Sequence, residues 1–191
     1  MDLKQEIINN LKKDISILSK LPMWCKDDKD IMLVSVEING YTLKLCSERL
    51  KNDEDMVLMA VSSSGEAIEY ASEELKNNIK IAKKVVQSYG KGIKFLNSQF
   101  YENKEVMMLA VTREPAHLEL ASDRLKNDKE LVYQALLRAN WVIDYASTEI
   151  QAICVNKNAR DALSSYINKE QLANSLNHLL PEKVSTTKIK I

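Results

Sequence analysis

Apolar residues return to the same places every 25 residues through the middle of this chain. In each copy an Asp or Asn (Asp28, Asp53, Asn78, Asn103, Asp128) precedes a fixed set of small or apolar positions. Three, seven and eight places on stand Ile31, Ser35, Val36; Met56, Ala60, Val61; Ile81, Val85, Val86; Val106, Ala110, Val111; and Leu131, Ala135, Leu136. That spacing is one face of a helix, so each copy predicts a helix of roughly ten residues. The Asp or Asn is its N-cap, because these side chains accept hydrogen bonds from the free N–H groups of a first turn. The middle position is small in four of the five copies, as close helix-to-helix approach requires. Twelve residues after the caps come Gly40, Gly65, Gly90, Pro115 and Asn140. They are expected to end the helices, Gly and Asn through the left-handed conformation and Pro by blocking continuation.

A second short helix is predicted around Leu43, Ile68, Ile93, Leu118 and Ile143, with Leu45, Tyr70, Phe95, Leu120 and Tyr145 two places on. Ser47, Ser72, Asn97, Ser122 and Ser147 then cap a helical turn pinned by Leu50, Leu75, Phe100, Leu125 and Ile150. Two helices and a turn in 25 residues are shorter than tetratricopeptide or ankyrin repeats of roughly 33 to 34, and the apolar spacing lacks the alternation of a leucine-rich repeat strand. The pattern predicts an all-α, α-solenoid-like single domain of tandem short helical hairpins with capping helices at both ends.

Ahead of the repeats, Leu3, Ile7, Ile8, Leu11, Ile15, Leu18 and Leu21 predict one amphipathic helix over residues 2–21, N-capped by Asp2 with Gln5 closing a capping box. Pro22 ends it, and Met23 and Trp24 are expected to wedge between it and the first repeat. Beyond the last repeat, residues 159–167 and 169–180 predict two closing helices, the second capped by Asn168, with Leu163, Ile167, Leu172, Leu176 and Leu179 inward. The divisions are therefore 1–22 (cap), 23–152 (five repeats), 153–181 (closing helices) and 182–191 (tail).

The repeat pattern D-x-[DE]-apolar-V/M-x-x-A-V-x-x-x-G-x-A-[IL]-x-Y-A-S-x-x-L-K, clearest in residues 53–76, resembles the bacterial helical-repeat family known as domain of unknown function 4116 across residues 28–150. Repeat three departs most, with Lys80 at the acidic position and Phe95-Leu96-Asn97 in place of Tyr-Ala-Ser. The resemblance brings no catalytic residues. Because similar repeats occur in large bacterial proteins, some regarded as secreted effectors, it implies an interaction role and a place in the cytoplasm or, exported without a cleavable signal peptide, in a host cell.

Charge alters this picture locally. Lys plus Arg and Asp plus Glu are 27 each, so the whole chain offers no electrostatic attraction to nucleic acid or an anionic membrane. Between Glu74 and Glu102, however, there is no acidic residue, while Lys76, Lys80, Lys83, Lys84, Lys91 and Lys94 accumulate. Three scattered cysteines (Cys25, Cys46, Cys154) support neither a disulfide framework nor a zinc site. The clusters Asp27-Asp28-Lys29-Asp30 and Asp53-Glu54-Asp55 lack the ligand spacing of a calcium loop and sit in first helical turns, where carboxylates complement the helix dipole. His117 and His178 have no Cys or carboxylate pair nearby in sequence. No segment approaches the ~20 apolar residues of a membrane span.

These observations predict a non-enzymatic protein-interaction module without catalytic residues, cofactor or metal. The expected partner-binding residues are Lys80, Lys83, Lys84, Tyr89, Lys91 and Lys94 in repeat three, with an acidic protein surface as partner. The second reading is single-stranded nucleic acid or RNA bound by the same lysines, and the third is an enzyme with an unrecognised site. The residues between the recurring Val and the Gly slot, such as Glu37-Ile38-Asn39 and Ser62-Ser63-Ser64, differ in every copy and are expected to form a variable binding row.

Overall fold

A computed structural model describes residues 2–88, 92–155 and 158–179, with side chains up to Ser175. Tyr89, Gly90, Lys91, His178 and the tail fall wholly or in their side chains outside the described residues. Among the described residues every regular element is a helix and consecutive elements pack, so the domain is all-α and repetitive. Each complete repeat is a long α-helix, a 3-10 helix and one short helical turn. In repeat one these are Lys29–Ile38, Gly40–Leu45 and Glu48–Lys51; in repeat two, Glu54–Ser63, Gly65–Tyr70 and Glu73–Lys76. The long helices of repeats three to five are Ile79–Gln87, Lys104–Arg113 and Lys129–Leu136. Successive long helices pack side by side in one row, and the 3-10 helices of repeats one to three and of four and five pack in a second.

The five caps behave as their chemistry requires. Asp28, Asp53, Asn78, Asn103 and Asp128 each accept from one or two N–H groups of the first turn, typically worth about 1 kcal/mol apiece. Buried side chains then recur in vertical ladders: Met32, Val57, Ala82, Met107, Val132; Val36, Val61, Val86, Val111, Leu136; and Leu50, Leu75, Phe100, Leu125, Ile150. Backbone bonds tie repeats one, two, four and five to the copy before, from Ser47 N–H to Lys26 O (2.9 Å), Ser72 to Lys51 (3.0 Å), Ser122 to Tyr101 (2.9 Å) and Ser147 to Lys126 (2.9 Å). The cysteines are free and belong to this core, and burial pushes the Cys46 thiol up to about 12.

Several expectations are corrected. The N-terminal segment is not one helix but a sixth copy of the repeat: a long helix Leu3–Lys13, a 3-10 helix Ile15–Lys20 and a short helix Met23–Asp27. Asp14 breaks the long helix and caps the next by accepting from Ser16 N–H. Asp2 makes no side-chain cap bond, and Gln5 donates instead to Asn9 (3.2 Å). Ile7, Leu11, Leu18 and Cys25 fill the same buried ladders as the other copies. It is Cys25 that wedges inward; Met23 and Trp24 occupy outward positions of the short helix and are exposed. At the other end a single helix, Ala159–Leu179, runs through Asn168, because nothing in that sequence breaks it. Leu163 is buried and Ile167 packs on the core, whereas Leu172 is exposed.

At Gly40 the glycine has a different cause from the expected one. The long helix of repeat one ends at Asn39 in extended backbone (φ −148°), and Gly40 opens the 3-10 helix without a left-handed φ. A Cβ on Gly40 would lie 2.4 Å from the Ala60 carbonyl oxygen in the next repeat. Glycine at position 40 therefore admits a neighbouring backbone, whereas the same slot holds the buried Pro115 in repeat four; Gly92, two places past the slot, approaches the Gly65 oxygen in the same way, at 2.3 Å from a Cβ. In the last repeat, where no further copy stacks, the slot holds the exposed Asn140.

Candidate protein-interaction face

The stacking of long helices sets a charge ladder along one side of the protein. Lys4 bridges to Asp28 (2.9 Å) and Asp30 (2.5 Å), Lys29 to Asp53 (2.7 Å) and Asp55 (3.4 Å), and Lys104 to Asp128 (2.8 Å) and Glu130 (2.7 Å). In each case a lysine at the start of one long helix reaches the cap and first turn of the next. Burial pushes the Asp28, Asp53 and Asp128 carboxyls up, but their lysine partners and first-turn N–H groups outweigh it and hold all three below the ordinary carboxylate value. Hydrogen bonds to Asp30 and then Asp28 raise Lys4, and those to Asp53 and Asp128 raise Lys29 and Lys104. The acidic clusters are thus caps and ladder partners, and among the described residues no group of three His, Cys, Asp or Glu could hold a metal ion.

Repeat three inverts this ladder. Glu54 stands where the other helices have Lys29 or Lys104, and opposite it Lys80 replaces the acid, forming a 2.6 Å ion pair. The facing cap is the neutral Asn78. Lys80 is therefore matched to its neighbour, which accounts for the departure from the repeat pattern. Lys83 pairs forward with Glu105 at 2.5 Å. Lys84, on the same helix face, is half-buried and contacts no carboxylate among the described residues. Lys94 lies in the other row, on the 3-10 helix Gly92–Phe95, with its ammonium 4.7 Å from the centre of the Phe95 ring. Helical spacing thus brings Lys80, Lys83 and Lys84 together, Lys94 is separate, and Tyr89 and Lys91 lie outside the described residues.

The face around those lysines has an organisation that sequence reading missed. The middle outward positions of the long helices are apolar and half-buried to exposed: Leu33 and Val34, Leu58 and Met59, Met108 and Leu109, Tyr133. Met59 is 39% exposed, so this belt is open to solvent on repeat two. Repeat three crosses the belt with Lys83 and Lys84, and repeat five has Gln134 beside Tyr133. Sequence carried the signal, since these residues follow each cap at five and six places, but it was hidden under the stronger periodicity of the buried face.

The row expected to vary for binding is mostly exposed, and some of its members also bond to the neighbouring copy. Ser63 Oγ accepts from Gly40 N–H (3.1 Å), Ser88 Oγ donates to Val61 O (2.7 Å), and the Arg138 guanidinium donates to Thr112 O (2.7 Å). Asn39 caps the following 3-10 helix through Tyr41 N–H. Between repeats three and four a groove of about 700 Å³ is lined by Val86, Ile93, Lys94, Arg113, His117 and Leu120. His117 Nδ1 is 3.4 Å from Ala110 O within its own repeat. No helix among the described residues is long and apolar enough to cross a membrane.

Comparison with protein families gives matches to the family described as Domain of unknown function (DUF4116) over residues 5–51, 28–74, 53–101 and 103–151. The first window takes in the N-terminal copy that the structure also places in the repeat series. No curated protein and no solved structure matches the chain.

Proposed function

We propose that this chain, which belongs to the DUF4116 family, is a non-enzymatic protein-interaction module that acts in the cytoplasm or, if exported, in a host cell. Its binding face is the outer side of the long helix of repeat three, with Lys84 beside Lys80 and Lys83; Lys94 is a separate contact on the 3-10 helix Gly92–Phe95, and the expected contacts Tyr89 and Lys91 lie outside the described residues. The observation that carries this reading is the belt: a strip of partly buried apolar side chains, open to solvent at Met59 and interrupted at repeat three by lysines, is the chemistry of an interface core with a charged specificity element. The displaced lysines Lys4, Lys29, Lys80, Lys104 and Lys129 all belong to contacts between neighbouring copies or with the closing helix. Their perturbation is thus accounted for by stacking. Burial raises the thiols of Cys25, Cys46 and Cys154, which opposes nucleophilic use. The test is capture from bacterial and host-cell lysates with the parent and with Lys80, Lys83 and Lys84 reversed to Glu, alongside a mixed oligonucleotide at low and moderate salt. Proteins retained by the parent should be lost on reversal. An unchanged set of retained proteins overturns the site, and tight oligonucleotide binding that falls steeply with salt replaces the protein partner by nucleic acid.

A further inference from the structure

We propose that the belt across repeats two to four is a seat for one amphipathic helix of the partner, lying along the stack, with an Asp or Glu at position i and large apolar residues at i−7 and i+7. This rests on the interaction-module reading and names the partner's chemistry. The occupant is a helix because the long helices spend their backbone groups internally, and no strand edge among the described residues offers N–H or C=O groups to an extended peptide. A helix satisfies its own backbone and needs only side-chain contacts. The spacing follows from packing. Neighbouring helix axes lie ~8–10 Å apart, and seven residues of α-helix advance ~10.5 Å while returning to nearly the same face. Apolar side chains seven residues either side of the acid therefore meet Leu58 and Met59 on one side and Met108 and Leu109 on the other.

The carboxylate follows from Lys84. Lys80 and Lys83 already pair with Glu54 and Glu105, whereas Lys84 has no carboxylate partner among the described residues, and covering it with an apolar ligand would strip water from its ammonium. A second copy of this chain is a poor occupant, since a two-fold contact centred on repeat three sets lysine against lysine. Polyanions such as an anionic lipid surface or nucleic acid meet the side chains of Asp55 and Glu105, which flank the lysines at 80% and 66% exposure.

The experiment uses the full chain and a stapled, fluorescent helix of 18 residues with Leu at its positions 2 and 16 and Glu at 9, titrated by anisotropy at near-physiological salt. Versions with Gln or Lys at 9, and with the leucines moved to five residues from the acid, complete the set. The Glu helix should bind about tenfold tighter than the Gln helix, and the displaced-leucine helix should lose most of its affinity. Lys84→Glu should reverse the order of the Glu and Lys helices, and Lys84→Gln should remove the Glu-over-Gln preference. Equal affinity for Glu and Gln, no effect of leucine spacing, no binding, or an unchanged order in Lys84→Glu each overturns the seat. These outcomes leave the module reading to its own test, in which the triple reversal changes which proteins are retained.

Discussion

Replacing Gly40 by Ala separates two physical reasons for a recurrent glycine, and they differ in sign. Were the slot a helix terminator with free space around it, Ala at this position, where φ is not left-handed, would restrict the unfolded chain and stabilise by about 0.4–1 kcal/mol. The structure puts the new Cβ 2.4 Å from the Ala60 oxygen, with Ser64 N at 3.1 Å and Ser64 Cβ at 3.2 Å. Ordinary contact begins near 3.4 Å, so the two backbones must part by about 1 Å. The obstructing oxygen is held in place, because it already accepts the N–H of the C-cap Ser64 at 2.8 Å at the end of the long helix of repeat two. Overpacking of this kind costs about 1–3 kcal/mol, which for a chain of this length lowers Tm by about 2–4 °C per kcal/mol. Gly40→Asn should be worse than Gly40→Ala, since the clash grows with the side chain. Asn140→Ala, in the same slot of the last repeat, should stay within about 0.5 kcal/mol. Urea unfolding followed by circular dichroism measures all three. A Gly40→Ala protein more stable than the parent, or Asn tolerated better than Ala, refutes the close-approach argument.

Two further predictions follow from the contacts between copies. Because Asp28, Asp53 and Asp128 titrate below their unfolded value of about 3.9, their contribution is present above that pH and is lost as pH falls through the folded values. Lys29 and Lys104 are raised, so theirs persists until pH climbs past about 10.4. Urea midpoints should be level from about pH 5 to 9 and drop below about pH 4, and a fall already evident between pH 7 and 5 contradicts this. In the ladder of short turns, Ser147 Oγ donates to Asn127 (2.6 Å) and Ser47 Oγ to Asp27 (2.5 Å), but Ser122 Oγ is buried without a partner where Glu102 takes the Asn place. Glu102→Asn should stabilise by about 0.5–1.5 kcal/mol in thermal unfolding, and a gain that survives in a Ser122→Ala background shows that the hydrogen bond is not its source.

The chain by itself determined the helix starts, the repeat and the all-α class, because these rest on local chemistry. Asp28, Asp53, Asn78, Asn103 and Asp128 satisfy N–H groups two or three residues away, and an apolar face at helical spacing has few alternatives once a cap fixes where it begins. The N-terminal copy was obscured for the same reason: without a side-chain cap at Asp2, and with Pro22 in place of the serine, its Leu11, Leu18 and Cys25 read as part of one amphipathic stripe. Only the tertiary structure decided what lies between copies. Glycine at position 40 looks like a terminator in sequence, since the Ala60 carbonyl that demands it is twenty residues away and reaches it only when the helices stack. Lys80 looks like a patch residue until Glu54 is seen across the interface, whereas Lys84 meets no carboxylate among the described residues. Capping and periodicity act within one helical turn and are written in order along the chain. Close backbone approach and ion pairing join residues separated by a whole repeat, and their distances are set by how one helix packs on the next.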